Sequence, residues 1–384
     1  MTAPQHNYKA AHGPSLWGAA DVARITAADI PEICLIGADD VRPLIDGLDL
    51  WDSWPIQHYD GTLAMIDGTV LWMMLSAPAV PDPVERHSQA RIRLMAQCDG
   101  AWIDCGNALP DGLSPGTREW AGSAVLNDDG RTVTLYFTAT GRPSEAFSFE
   151  QRLFETTGTL RADARAIEHW SVPVEIVASD GHHYVDTRTT QGGPGLIKGF
   201  RDPGYVRDPA DGAEYLVFTG SDGTSEKIHN GVIGLISRAG GRWTLEPPIY
   251  SALGLCNELE RPHVIVRDGL YYLFWSTQRQ VFAPGGPSGP NGLYGAVATA
   301  LRGPYRALNG TGLVAANPRN EPTQAYSWLV LDTLDVVSFV DYWGMAGRSL
   351  ADFPALVRSQ FGGTVAPMFR IAISGDTARL VTQA

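Results

Sequence analysis

Residues 263–276, HVIVRDGLYYLFWS, decide the fold class. An apolar, β-branched run, an Asp-Gly pair and a second such run make the strongest short hairpin signal. Asp and Gly tolerate the positive φ angles that a two-residue turn demands. The pattern recurs at 62–75 (TLAMI-DG-TVLWMML), 91–105 (RIRLMAQC-DG-AWIDC), 124–139 (AVLND-DG-RTVTLYFTA) and 204–220 (GYVRDPA-DG-AEYLVFTG). Residues 326–343, YSWLVLDTLDVVSFVDYW, read as a late hairpin without the glycine. No helical segment long enough to cross back between parallel strands separates these hairpins. A doubly wound α/β fold is thereby excluded, which leaves a sandwich, a barrel or a propeller.

Composition agrees. In 384 residues, 42 glycines and 26 prolines accompany a charged fraction of only 18%, the profile of an all-β chain rich in turns. A net charge of −13 argues against a nucleic-acid surface or an acidic membrane surface, since phosphate binding needs clustered Lys and Arg. No apolar run approaches the roughly 18 residues of a membrane span. Cys34, Cys98, Cys105 and Cys256 read as free thiols, with a Cys98–Cys105 bridge across the Asp99-Gly100 turn as the alternative. Residues 1–30 read as a polar segment followed by a short helix over 16–25, capped by Ser15 and packed on the rest of the chain. Residues 1–15 hold no basic patch followed by an apolar run.

Three acidic clusters fall beside hairpins: WDSWP around Asp52, FRDP around Asp202, and NELERP around Glu258 and Glu260. Each is expected just ahead of its hairpin. Acids so far apart in sequence converge only if their strands do. A radial array achieves this, because the innermost strand of each blade lines one channel. The expected architecture is therefore a single five-bladed β-propeller spanning 1–384, with a central funnel-shaped site. Asp52 stands between Trp51 and Trp54, aromatic walls on which a sugar ring stacks. Glu258 and Glu260 are spaced to share one face of a strand, so one of them should hold its proton. A retaining glycosidase needs such a pair, a nucleophile and an acid/base.

At these residues the chain resembles glycoside hydrolase family 68, the bacterial levansucrases, inulosucrases and β-fructofuranosidases, of the Gram-negative type. LDLWDSWP, REWAGSA, FRDP, NELERPHVI and GPNGLYG occur in the family's order. The resemblance implies that Asp52 is the nucleophile, Glu260 the acid/base and Asp202 the transition-state stabiliser. It implies that Trp51, Trp120, Arg201, Glu258 and Tyr326 bind sugar, and that Gln278 or Arg279 lies near the acceptor. The implied activity is fructosyl transfer from sucrose to sugars, fructan or water. A mainly hydrolytic enzyme making short fructooligosaccharides is the first alternative, and a non-catalytic carbohydrate-binding propeller the second. No cofactor or metal is implied, calcium included; Asp208 and Asp211 read as turn formers. The implied location is extracellular, reached without a cleavable signal, with cytoplasm or periplasm as alternatives. Ala121 stands where the family commonly has Ser, which removes one hydroxyl bond to the nucleophile and should raise its pKa.

Other residues are assigned structural roles. His87 reads as holding a blade entrance, and His182 and His183 point to opposite faces. Residues 285–292 read as a mobile rim loop, and Ser123 lacks the elbow of a serine hydrolase.

Overall fold

The computed structural model describes residues 13–193 and 195–381, so residues 1–12 of the expected N-terminal segment lie outside it. Strands dominate, and the one α-helix among the described residues is the single turn Ala19–Val22. All six expected hairpins form. Asp67, Asp99 and Asp268 each take positive φ beside a positive-φ glycine, which is the backbone that a two-residue turn requires.

The strands group into antiparallel meanders that begin at Leu48–Gln57, Arg118–Leu126, Phe200–Arg207, Glu260–Arg267 and Ala325–Val330. The first two meanders merge into a ten-stranded sheet through a short parallel contact of Ile56 and Gln57 with Ala124 and Val125. The other three form separate sheets. Leu48–Gln57 lies against Arg118–Leu126, which adjoins Phe200–Arg207. That strand adjoins Glu260–Arg267, which reaches Ala325–Val330, and the last strand returns to Leu48–Gln57. The five leading strands therefore surround a common centre.

Each leading strand is interrupted by one extra residue relative to its partner. The shifts fall between Trp51 and Trp54, Trp120 and Gly122, Arg201 and Gly204, Glu260 and His263, and Tyr326 and Leu329. In four of them a non-glycine residue adopts positive φ: Asp52 (46°), Asp202 (58°), Arg261 (50°) and Ser327 (62°). Such bulges redirect side chains, at a cost of order 1–3 kcal/mol for each left-handed non-glycine residue. Asp52, Asp202 and Glu260 thus lie within leading strands instead of ahead of the hairpins, while Glu258 precedes its strand.

The N-terminal region also departs from expectation. Residues 16–25 are not one helix. Ser15–Leu16 pairs in parallel with Tyr250 and Ser251, and the Ser15 hydroxyl accepts from Tyr305 N at 2.8 Å instead of capping a helix. Gly18 occupies the cap position, and its N–H is bound by Asp21. Burial of Trp17 against Trp275, Phe282 and Tyr294 overrides helix formation at this point. Near the end of the rim loop, Tyr294 donates to Pro290 O at 2.7 Å. All four cysteines are free.

Gly122 shows how closely the bulges pack, because a Cβ there would lie 1.9 Å from Tyr136 O. Gly122→Ala is therefore expected to destabilise the protein by about 2–3 kcal/mol. The check is a lower urea midpoint at unchanged slope.

Candidate active site

The bulges gather the chemistry. An inserted residue breaks the two-residue alternation of a strand, so consecutive side chains serve the same region. Arg201 and Asp202 illustrate this, with Arg201 Nε 3.5 Å from Asp202 Oδ2. Arg201 Nη2 donates to Glu260 Oε1 at 2.7 Å and lies 3.6 Å from Glu258 Oε2. Tyr326 donates to the other oxygen of Glu260. Glu260 opens its strand, whereas Glu258 lies in the approach to it. The two still meet on one side, because Arg201 sits between them.

Asp52 lies in the same cluster. Burial raises its carboxyl, while the charge of Arg261 and a hydrogen bond from Ser327 oppose the rise, and Glu260 adds to it. Ser327 Oγ accepts from Arg261 Nη1 at 2.7 Å, which leaves its own proton for Asp52. Arg261 Nη2 donates to Ser53 O at 2.7 Å, so one guanidinium ties the first, fourth and fifth meanders together. The Ser327 hydroxyl, carried by the fifth meander, thus supports the ionised form of Asp52.

Asp202 is 7% exposed, and burial pushes its carboxyl up to about 6 against the pull of Arg201. Thr219 donates to its Oδ2 at 3.0 Å, and its backbone N–H donates to Thr138 Oγ1 at 2.9 Å. Burial and the neighbouring charge of Glu260 drive the Glu258 carboxyl upward. Asp202 and Arg261 also border a cavity of about 50 Å³, with Trp54, Ser123 and His263 on its wall.

Trp51 and Trp120 flank the cluster with His87 between them, its ring 5.7 Å from Trp51 and 6.5 Å from Trp120. His87 therefore packs between the two tryptophans as well as standing at the approach to the strand Arg91–Cys98. It occupies a 3₁₀ turn, Pro83–Ser88, and burial pulls its imidazole well below the ordinary range, which keeps it neutral. The preceding Arg86 stacks on Trp51 at 5.3 Å and on Phe361 at 4.6 Å. Behind it, the buried carboxyl of Asp341 is raised to about 7 by burial. Gln278 follows the strand Leu270–Thr277, half-buried, where its side chain accepts from Gln280.

Ser327, Thr138, Thr219, Arg86 and Asp341 carry no motif that singles them out, and strand register and packing assemble them. The Asp208 and Asp211 carboxylates accept from the backbone of their own turn, at 2.9 and 2.8 Å. Among the described residues, no group of three or more His, Cys, Asp and Glu side chains is placed to hold a metal ion. No helix among them is long and apolar enough to cross a membrane.

Known proteins share this arrangement. The inulosucrase of Halalkalicoccus jeotgali, solved bound to kestose, is 36% identical with a TM-score of 0.88, covering 96% of this chain and 95% of that one. The levansucrase LscA of Pseudomonas savastanoi pv. glycinea is 29% identical over 95% of this chain and 94% of that protein. Bacillus subtilis levansucrase, at 23% identity and a TM-score of 0.80 over 97% and 96% of the two chains, shares the fold. The glycoside hydrolase 68 profile, described as Levansucrase/Invertase, matches residues 6–232 and 227–383, and the chain belongs to that family.

Proposed function

We propose that the chain is a retaining, sucrose-cleaving fructosyltransferase built as one five-bladed β-propeller domain. The closed neighbourhood of the five leading strands supports the propeller. The observation that carries the mechanism is the convergence of acids from separate meanders on one guanidinium: Arg201 meets Asp202, Glu258 and Glu260.

In this reading Asp52 attacks the anomeric carbon of the fructosyl ring as the bond to the glucosyl oxygen breaks. The departing oxygen takes a proton from the Glu258–Glu260 pair, delivered by Glu260. Two carboxylates held this close carry one proton between them at low cost, which suits the acid step. Asp202 is fixed by Thr219 and Thr138 and stabilises the positive charge that develops on the ring. Glu260, now ionised, then removes a proton from the acceptor. The acceptor oxygen displaces Asp52 and restores the starting enzyme. Trp51 and Trp120 supply stacking walls, while Arg201, Glu258 and Tyr326 order the sugar hydroxyls. Water as acceptor gives hydrolysis, and a sugar gives transfer.

A second reading, short products with much hydrolysis, draws support from Gln278, whose side chain is engaged by Gln280. Incubation with sucrose separates the two. Free fructose well below glucose is expected for transfer, and equal amounts for hydrolysis; absence of glucose would exclude both.

Asp52→Asn and Glu260→Gln are each expected to lower sucrose turnover by roughly 10²–10⁴-fold or more in a folded protein, as steady-state glucose release would show. A folded Asp52→Asn protein with near-normal turnover would overturn the nucleophile assignment.

Ser327→Ala tests the support of the nucleophile. The lost bond favours the carboxylate, so the Asp52 pKa rises further. Because Asp52 acts when ionised, activity must then fall away at a higher pH on the acid side. The acid limb of kcat/KM is expected to move upward, with the alkaline limb in place.

A further inference from the structure

Lys198 is 9% exposed and lies outside every role assigned above. Its ammonium donates to Asn230 Oδ1 at 2.6 Å, to Asn257 Oδ1 at 2.9 Å and to Ile228 O. Three donors meet three acceptors, so the group has no proton left for substrate. Its consequence falls on Asn257, which is 1% exposed. An ammonium has no acceptor, so it selects the amide oxygen and turns the Asn257 NH₂ the other way. That NH₂ donates to Ile197 O at 3.1 Å and to Glu258 Oε1 at 3.2 Å. Glu258 in turn faces Arg201, which holds Glu260.

We propose that Lys198 is a positioning residue: by fixing the polarity of the Asn257 amide, it determines that Glu258 meets a donor, and so which state of that carboxyl is presented to the sugar. The inference rests on the reading that Glu258 orders sugar hydroxyls. Without the ammonium, Asn257 is free to rotate and offer Oδ1, which would favour protonated Glu258. The hydrogen bond from Asn257 works against the upward drive on Glu258, in the direction the proposal requires. The other ionisable groups around Glu258 are Glu260 and Asp202, which raise it, and Arg201, which lowers it, with Tyr326 and Cys256 close by. His229 lies beside Lys198 and is lowered by burial and by that charge.

The test follows KM for sucrose as a function of pH in the full-length protein. Glu258→Gln is expected to abolish one inflection, which assigns it to Glu258. Lys198→Met should move that inflection to higher pH and change KM roughly two- to ten-fold, the size of one hydrogen bond, with kcat altered less. Lys198→Gln, which restores a neutral donor to Asn257, should bring the inflection part of the way back, and it serves if the methionine variant does not fold. An inflection unmoved in the lysine variants, or unaffected by Glu258→Gln, overturns the proposal, even if the melting temperature falls. Glu260→Gln, measured in parallel, keeps the readings apart. If it stays active, the acid/base assignment fails; if it is inactive while the inflection stays fixed, only the role of Lys198 fails.

Discussion

The site depends on one repeated constraint: a bulge in each leading strand, with buried hydroxyls stapling the second bulge to the third, the third to the fourth and the fourth to the fifth. Thr138 pairs with Trp120 beside the second bulge and accepts the backbone N–H of Asp202 in the third. Thr219 pairs with Arg201 and accepts the N–H of Arg261 in the fourth, at 3.1 Å. Ser276 pairs with Glu260 and accepts the N–H of Trp328 beside the fifth, at 2.9 Å. All three hydroxyls are fully buried. A bulge frees a backbone donor that a regular ladder would have used, and a buried donor left alone is expensive. The hydroxyl removes that cost and ties the aim of one strand to the aim of its neighbour.

Electrostatics explains why such rigidity is required. Asp52, Asp202, Glu258 and Glu260 repel one another in a space from which water is largely withdrawn, and Arg201 and Arg261 oppose that repulsion from fixed positions. Arg201 serves three carboxylates with one guanidinium, and Arg261 spends its donors on Ser327 and Ser53. A buried charge cluster of this kind is costly to assemble and costlier to leave unpaired. Loops could not hold its geometry. A ring of strands whose neighbours share hydrogen bonds at the bulges can, and Asp202, raised to about 6, is still ionised at neutral pH.

Much of this was legible in the sequence. The Asp-Gly pairs located the hairpins because their chemistry is local, and the acids beside Trp51 and Arg201 pointed to sugar chemistry. The bulges were not legible. Residues at equivalent positions, Asp52, Ala121, Asp202, Arg261 and Ser327, range over acid, methyl, guanidinium and hydroxyl, so no repeat is visible in the letters. Their equivalence lies in strand register, which depends on pairing partners far along the chain. The neighbours of His87 were hidden for a related reason: Trp51 and Trp120 are brought to it by the turn Pro83–Ser88 folding back over a different strand. The helix expected over 16–25 failed because burial of Trp17 outweighed a weak local preference.

Ala121 is the exception that clarifies the rule. Its bulge lacks positive φ and a polar side chain; its carbonyl accepts from Thr138 at 3.1 Å. The second strand therefore contributes a wall, Trp120, and an anchor, Thr138, rather than a charge. The hydroxyl that supports Asp52 comes from the opposite neighbour of the first strand, on Ser327. Because Leu48–Gln57 is flanked on one side by Arg118–Leu126 and on the other by Ala325–Val330, either neighbour can reach its bulge. Neighbouring strands on both sides give such a side chain two sources of support, so support can move from one to the other while the position of Asp52 is kept.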